Sequence, residues 1–398
     1  MNAQLKAATE VTCPCCLKQA MEPFYEVRGV PTNSCILLQT REEALGYPTG
    51  DIRLAFCPAC GFISNIAFDA KLTEYSGRYE ETQAFSPTFN SFHEKLARNL
   101  VQRHALKNKD LIEIGCGKGE FLKLLCDLGE NRGLGFDPGY SEARGESAGA
   151  ARFSVIRDFF SGKYVDRDAD FVACKMTLEH IWTPHEFVGN TVQLARRPNG
   201  VVFIQVPESL RILKDCAFED IYYEHCSYFT GGSLARLFKR LGFKVSCIDV
   251  EYDGQYLTVE AEPGDGTQNQ AGVEQNDLEE LRSLVQSYPQ RDEQKRGAWV
   301  AKLRDWQNAG KRVVLWGSGS KGVSFLTTVA GADMVENVVD INPYRHGYYM
   351  PRTGQKIVAP QALTELKPDA VVVMNRIYVP EIREMLAGLG LKPEVQAL

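Results

Sequence analysis

The chain has 398 residues, a formal net charge of −6 and 24% charged residues. That length holds two or three domains, and with no cluster of Lys and Arg the slight acidity argues against a nucleic-acid partner. The apolar runs, such as Val201–Val206, are strand-sized and exclude a membrane span, and residues 1–12 lack the apolar core of a signal peptide. The cytoplasm is therefore the expected compartment, and the 12 cysteines are not expected to form a disulfide framework.

Cys13-Pro14-Cys15-Cys16 and Cys57-Pro58-Ala59-Cys60 open the reading in chain order. Two C-x-x-C knuckles bring four thiolates into a tetrahedron suited to a structural Zn²⁺, with no position left for water. The spacing favours Cys13, Cys16, Cys57 and Cys60, with Cys15 as an alternative ligand in the first knuckle. Residues 1–70 thus read as a small zinc-binding, β-rich module, with a hairpin over Arg53–Ile66 around the second knuckle. Residues 71–106 read as a helical, aromatic connector that contains Tyr75, Tyr79 and a helix near His93–Arg103.

Leu111–Phe121 (L-I-E-I-G-C-G-K-G-E-F) follows. An apolar strand ends near Glu113, a loop carries Gly115, Cys116, Gly117 and Gly119, and a helix opens. The glycines allow tight turns and a close approach of backbone to ligand. The third glycine comes one residue earlier than in the dinucleotide fingerprint G-x-G-x-x-G. The variant resembles motif I of the class I S-adenosylmethionine (SAM) methyltransferases. Its expected partners appear in order. Asp137 ends a second strand and suits two ribose hydroxyls. Asp158 would accept from the adenine amino group, with Phe159 against the ring. Phe171–Cys174 reads as the fourth strand, with His180 beyond its end facing the methyl group. Residues 107–262 are expected to form a doubly wound α/β sheet closed by paired strands at 243–250 and 255–261.

Residues 263–276 read as a linker, and the region to 310 as linker plus two helices. Their core faces are Leu278, Leu281, Leu284 and Val285, then Trp299, Val300, Leu303 and Trp306. A second Rossmann-like α/β unit spans 311–398. Its loop Gly317-Ser318-Gly319-Ser320-Lys321-Gly322 fits G-x-G-x-x-G, and Val338-Val339-Asp340 ends a strand in an acid. Backbone N–H groups at a helix N-terminus, with Lys321, point to an anionic ligand such as a substrate diphosphate.

The densest candidate for chemistry is Ile221–Phe229, which includes Tyr223, Glu224, His225 and Tyr228. It follows a strand on the carboxyl side of the sheet, where α/β ligands bind. A histidine of ordinary pKa suits a general base at neutral pH, and an adjacent glutamate would orient it or bind a hydroxyl.

The order of these parts resembles the three-domain C-methyltransferases of nucleotide-linked deoxysugars. The most specific pieces are Tyr223–Phe229, Gly319-Ser320-Lys321-Gly322 and Val339-Asp340-Ile341-Asn342-Pro343. The resemblance implies an active site of Glu224, His225 and His180 with Tyr79 or Tyr75. It also implies a nucleotide-sugar held in part by the C-terminal domain. Tyr223, Tyr228, Gly319, Ser320, Lys321 and Asn342 are the expected substrate contacts, SAM the donor and a nucleotide-linked sugar the acceptor. The expected reaction is general-base enolate formation followed by methylation of a carbon next to a ketone. Val30–Cys35 and Arg41–Ala44 depart from the family pattern, which keeps C-, N- or O-methylation of another small natural product as the alternative.

Overall fold

The computed structural model describes residues 11–18, 21–141, 152–264 and 277–398. The linker expected at 263–276 lies outside the described residues from residue 265 onward. Three strands open the chain, β1 (Glu22–Pro31), β2 (Thr49–Phe56) and β3 (Ile63–Asn65), paired antiparallel. Cys57 and Cys60 sit in the turn between β2 and β3. A short strand from much later in the chain, Ser227–Tyr228, completes this sheet by pairing with β3.

The central domain holds β4 (Asp110–Ile114), β5 (Arg132–Phe136), β6 (Phe153–Ile156), β7 (Phe171–Lys175) and β8 (Val201–Pro207). Counting Ser227–Tyr228 as β9, β10 (Phe243–Glu251) and β11 (Tyr256–Pro263) close it. The order is β10-β11-β8-β7-β4-β5-β6, parallel from β8 to β6, with β11 antiparallel between β8 and β10. The order reverses between β4 and β7, which opens a crevice at their carboxyl ends. Strand β8 is apolar at most positions and buried throughout, as a strand covered on both faces must be.

The C-terminal domain is a five-stranded parallel sheet of β12 (Val313–Trp316), β13 (Asn337–Val339), β14 (Lys356–Val358), β15 (Ala370–Val373) and β16 (Glu394–Ala397). Its order is β14-β13-β12-β15-β16. Its switch point lies at the Gly317 loop after β12, and this loop faces the crevice of the central sheet across one shared cavity.

One correction concerns the two helices expected between these domains. They are a single helix, Leu278–Asn308, that continues through Pro289. Its buried residues Leu281, Val285, Tyr288, Asp292, Trp299, Leu303 and Trp306 form one stripe at steps of three, four or seven residues. That stripe meets partners at both ends, which holds the helix together across the proline. Tyr288 packs edge-on against Tyr25 of β1, ring centroids 5.1 Å apart, and Trp299 against Phe325 of the C-terminal domain at 5.3 Å. No helix among the described residues is long and apolar enough to cross a membrane. Trp299→Ala is expected to cost about 3–5 kcal/mol of stability, the usual penalty for an aromatic lost from a core. Urea denaturation followed by tryptophan fluorescence and circular dichroism measures it.

Candidate active site

A cavity of about 990 Å³ runs from the first glycine loop to the second. At one end, Gly115 and Gly117 take positive φ of 69° and 55°. A Cβ on Gly115 would lie 2.0 Å from Thr177 Oγ1, so only glycine lets this loop pass under the chain that follows β7. Gly119 caps the helix Glu120–Gly129 at φ 81°, with no side-chain cap hydrogen bond of its own. Asp137 Oδ2 accepts from the Gly117 amide and Oδ1 from the Gly139 amide, at 2.9 and 2.8 Å. Each oxygen keeps a lone pair for a ribose hydroxyl. Glu113 is buried, which pushes its carboxyl up to about 8, and its Oε2 has no hydrogen-bond partner. Cys116 lines the loop as a buried thiol. Asp158 and the exposed ring of Phe159 stand at the rim. Asp158 is engaged by Lys163, by the Tyr164 hydroxyl at 2.7 Å and by the Phe159 amide at 2.9 Å.

The middle of the cavity carries two histidine–tyrosine pairs. His180 Nδ1 lies 3.1 Å from the Glu224 carbonyl oxygen, which can only accept, so Nδ1 carries the proton and Nε2 is the acceptor. The Tyr75 hydroxyl is 3.0 Å from the same Nδ1. His225 Nε2 and the Tyr222 hydroxyl are hydrogen-bonded at 2.6 Å, and the two imidazoles stand 5.0 Å apart. Burial lowers the pKa of His180 to about 4 and that of His225 well below its ordinary value, so both rings are neutral at pH 7. Glu179 lies 4.0 Å from His225 Nε2, buried, with neither carboxyl oxygen partnered. Burial raises its pKa to about 8.

Several expected site residues sit elsewhere. Glu224 is fully buried behind the cavity wall. Its carboxylate accepts from Asn33 Nδ2 (3.0 Å), the Ser34 amide (2.8 Å) and the Ser34 hydroxyl (2.5 Å). Tyr79 borders the cavity but contacts this same carboxylate, so it is Tyr75 whose hydroxyl reaches the histidines. Tyr223 and Tyr228 lie outside the cavity. They belong to the core beneath the N-terminal sheet, and Tyr223 bonds the backbone of Asp69. A turn decides this: the His225 amide donates to the Tyr222 carbonyl (3.2 Å), and Tyr222 and His225 line the cavity while Tyr223 and Glu224 between them point away from it. Lys321 borders the cavity but is paired with Asp220, which also binds Arg211. Gly319 and Ser320 line the far end, and Asn342 Nδ2 there donates to Glu80 (3.1 Å). Tyr222, Glu179 and the buried Arg345 were not singled out in the sequence. The Leu178-Glu179-His180 run reads as ordinary lining, and Tyr222 is indistinguishable from Tyr223 until the backbone direction is known.

The four knuckle cysteines converge. Cys13 and Cys60 sulfurs are 3.6 Å apart, Cys16 and Cys57 sulfurs 3.7 Å, and all four lie within 4.8 Å of one another. Cys15 is buried beside them, and no cysteine is in a disulfide. Arg236 Nε donates to the Cys60 carbonyl (3.0 Å) and His185 Nδ1 to that of Cys15 (3.3 Å), which ties the knuckles to the central domain.

Known proteins agree with this layout. Residues 89–248 match a family model described as a methyltransferase domain, and residues 265–390 one described as a C-methyltransferase C-terminal domain. The curated C-methyltransferase NovU of Streptomyces niveus is 26% identical over 364 residues, covering 87% of this chain and 85% of that protein. Among solved structures, magnesium protoporphyrin IX methyltransferase from Synechocystis PCC 6803 is 16% identical over 44% of this chain and 84% of its own, with a TM-score of 0.36. The Burkholderia thailandensis 1,6-didemethyltoxoflavin-N1-methyltransferase is 16% identical over 45% of this chain and 82% of its own, with a TM-score of 0.35.

Asp137→Ala is expected to weaken S-adenosylhomocysteine binding by about 10- to 100-fold, the loss of charge-assisted hydrogen bonds to the ribose, measured by calorimetry. Because the methyltransferase-domain match covers the residues that build this loop and its acid, and a curated C-methyltransferase aligns along most of the chain, the protein is a SAM-dependent methyltransferase.

Proposed function

We propose that the protein methylates a carbon next to a ketone, on a nucleotide-linked keto-deoxysugar. The two neutral imidazoles, each bonded to a tyrosine hydroxyl between the two glycine loops, carry this reading. The match to a C-methyltransferase C-terminal domain and the similarity to NovU support it. Methyl transfer to oxygen or nitrogen needs little beyond proximity and one base. Transfer to carbon needs a base for a C–H proton and a donor for the oxygen that gathers charge. Here both are present twice.

SAM, held by the Gly115–Gly119 loop and Asp137, supplies an electrophilic methyl group. His225 removes the proton from the α-carbon, and the C–H electron pair moves into the enolate. The hydroxyl of Tyr75 or Tyr222 donates to the enolate oxygen. The enolate carbon then takes the methyl group, the C–S electron pair stays with sulfur, and His225 passes its proton to solvent. A base contributes about 10²–10⁴-fold and an oxyanion donor about 3 kcal/mol, so loss of either is readily measured.

The carrier's diphosphate would meet the backbone amides at the start of the helix Ser320–Thr328, which no side chain caps, and Arg345. Lys321 is committed to Asp220, so the backbone rather than the lysine takes the anionic role.

Zn²⁺ suits the cysteine cluster. A tetrahedral ion with Zn–S near 2.3 Å places sulfurs about 3.8 Å apart, close to the spacings observed. With four protein ligands it would be structural. Purified protein is expected to contain one zinc per chain by elemental analysis, and Cys57→Ser to lose the metal and melt at a lower temperature.

With a nucleotide-4-ketosugar and no SAM, the wild-type protein is expected to exchange the α-proton for solvent deuterium. His225→Ala should abolish both this exchange and methyl transfer by mass spectrometry. Exchange that survives in the variant removes His225 as the base and transfers the role to His180, whose Nε2 is an open acceptor.

A further inference from the structure

Glu179 and His180 share one turn, Leu178–His180, just past the end of β7, and His225 reaches the same point from the segment that leads into β9. The three side chains line the cavity, and one nitrogen of each imidazole and one oxygen of the carboxylate lie within 4.8 Å of one another. Glu179 is 1% exposed, neither of its oxygens has a hydrogen-bond partner, and no Lys or Arg pairs with it among the described residues. A buried carboxylate is nearly always bonded or paired, and this one has two imidazoles as neighbours instead. Its Oε1 is 4.0 Å from His225 Nε2, and the two imidazole planes cross at 80°. His180 Nδ1 bonds the Glu224 carbonyl oxygen, which leaves the lone pair on Nε2. A metal-ligating histidine is held in the same way, by a carbonyl on its other nitrogen. His225 Nε2 is bonded by the Tyr222 hydroxyl, a neutral group that an ion can displace.

Two imidazole nitrogens and one carboxylate oxygen suit a divalent first-row transition ion better than Mg²⁺ or Ca²⁺, which take oxygen ligands. An ion centred among three atoms no more than 4.8 Å apart lies about 2.8 Å or less from each, against ligand bonds of about 2.0–2.2 Å in such sites. Side-chain shifts of about 0.7 Å close that difference. Glu179, whose oxygens nothing holds, is free to make them. We propose that Glu179, His180 and His225 bind one divalent transition ion in the acceptor end of the cavity, separate from the cysteine cluster. Three protein ligands leave the remaining positions open toward the cavity. The ion takes the lone pair of His225, so a filled site is closed to proton abstraction and carbon methylation stops. That consequence, unlike the site itself, rests on the reading of His225 as the base.

The test titrates Co²⁺ into untagged protein whose cysteine cluster already holds zinc. One further ion per chain is expected by equilibrium dialysis. Its visible bands should be the weak ones of nitrogen and oxygen ligation, without the intense thiolate-to-metal bands of a cysteine site. Glu179→Gln and His180→Asn should each weaken this ion by about 100-fold or more, because losing even an outer partner of a metal ligand costs about 10- to 100-fold. Both variants should keep one zinc per chain and a cooperative melting transition, which shows that they are folded. In the wild-type protein, solvent deuterium exchange into a nucleotide-4-ketosugar should fall in proportion to the Co²⁺ bound and return when citrate removes it. No further ion overturns the proposal, and so does one held equally well by the wild type and both variants. A spectrum of thiolate ligation overturns it too. An ion that needs Glu179 and His180 but leaves exchange undiminished upholds the site and counts instead against His225 as the base.

Discussion

The Glu224 carboxylate, buried among Asn33 and Ser34, governs how this protein is assembled around its cavity. A charge taken out of water must be met by hydrogen bonds, and the cost of leaving it unmet is several kcal/mol. Here three donors come from the N-terminal module, on a loop between β1 and β2. The residue that follows Glu224 is His225, and the Glu224 carbonyl fixes the tautomer of His180. One glutamate therefore joins a module far away in the sequence to both imidazoles. The Val30–Cys35 stretch provides the donors.

The same segment is held at its ends by the other parts of the chain. Before His225, Asp220 is bound by Arg211 of the central domain and Lys321 of the C-terminal domain, and Ser324 donates to the carbonyls of Phe218 and Ile221. After it, Ser227–Tyr228 becomes the edge strand of the N-terminal sheet. Asp220 thus carries one cation from each domain, so Lys321 acts as a fastener between them. The arrangement gives catalysis what it requires, side chains held in place by elements that are themselves rigid.

Reaction and charge are also matched along the cavity. The donor end is lined by acids whose burial raises their pKa, with Lys175 as the cation among them. The acceptor end offers amides and Arg345. Between these ends stand the two neutral histidines. Neutral imidazoles there keep their acceptor lone pairs at physiological pH, because desolvation disfavours the imidazolium form.

Short-range patterns were legible in the residues alone. Gly115, Gly117 and Gly119 stand where positive φ is needed, Asp137 ends its strand, and two C-x-x-C knuckles converge, because each depends on spacing within one turn or one strand. Strands of the central unit were visible for the same reason, and so was β13 of the C-terminal unit. Side-chain direction in the Ile221–Phe229 segment was not visible, since Tyr222 and Tyr223 differ only in which way the backbone turns them, and the turn closed between Tyr222 and His225 sets that. The same holds for Glu224, turned outward to a loop nearly two hundred residues earlier, for Lys321, taken by Asp220, and for the single helix through Pro289, kept whole by partners at both ends. Contacts between distant segments depend on where the chain brings them together, and local spacing carries no record of it.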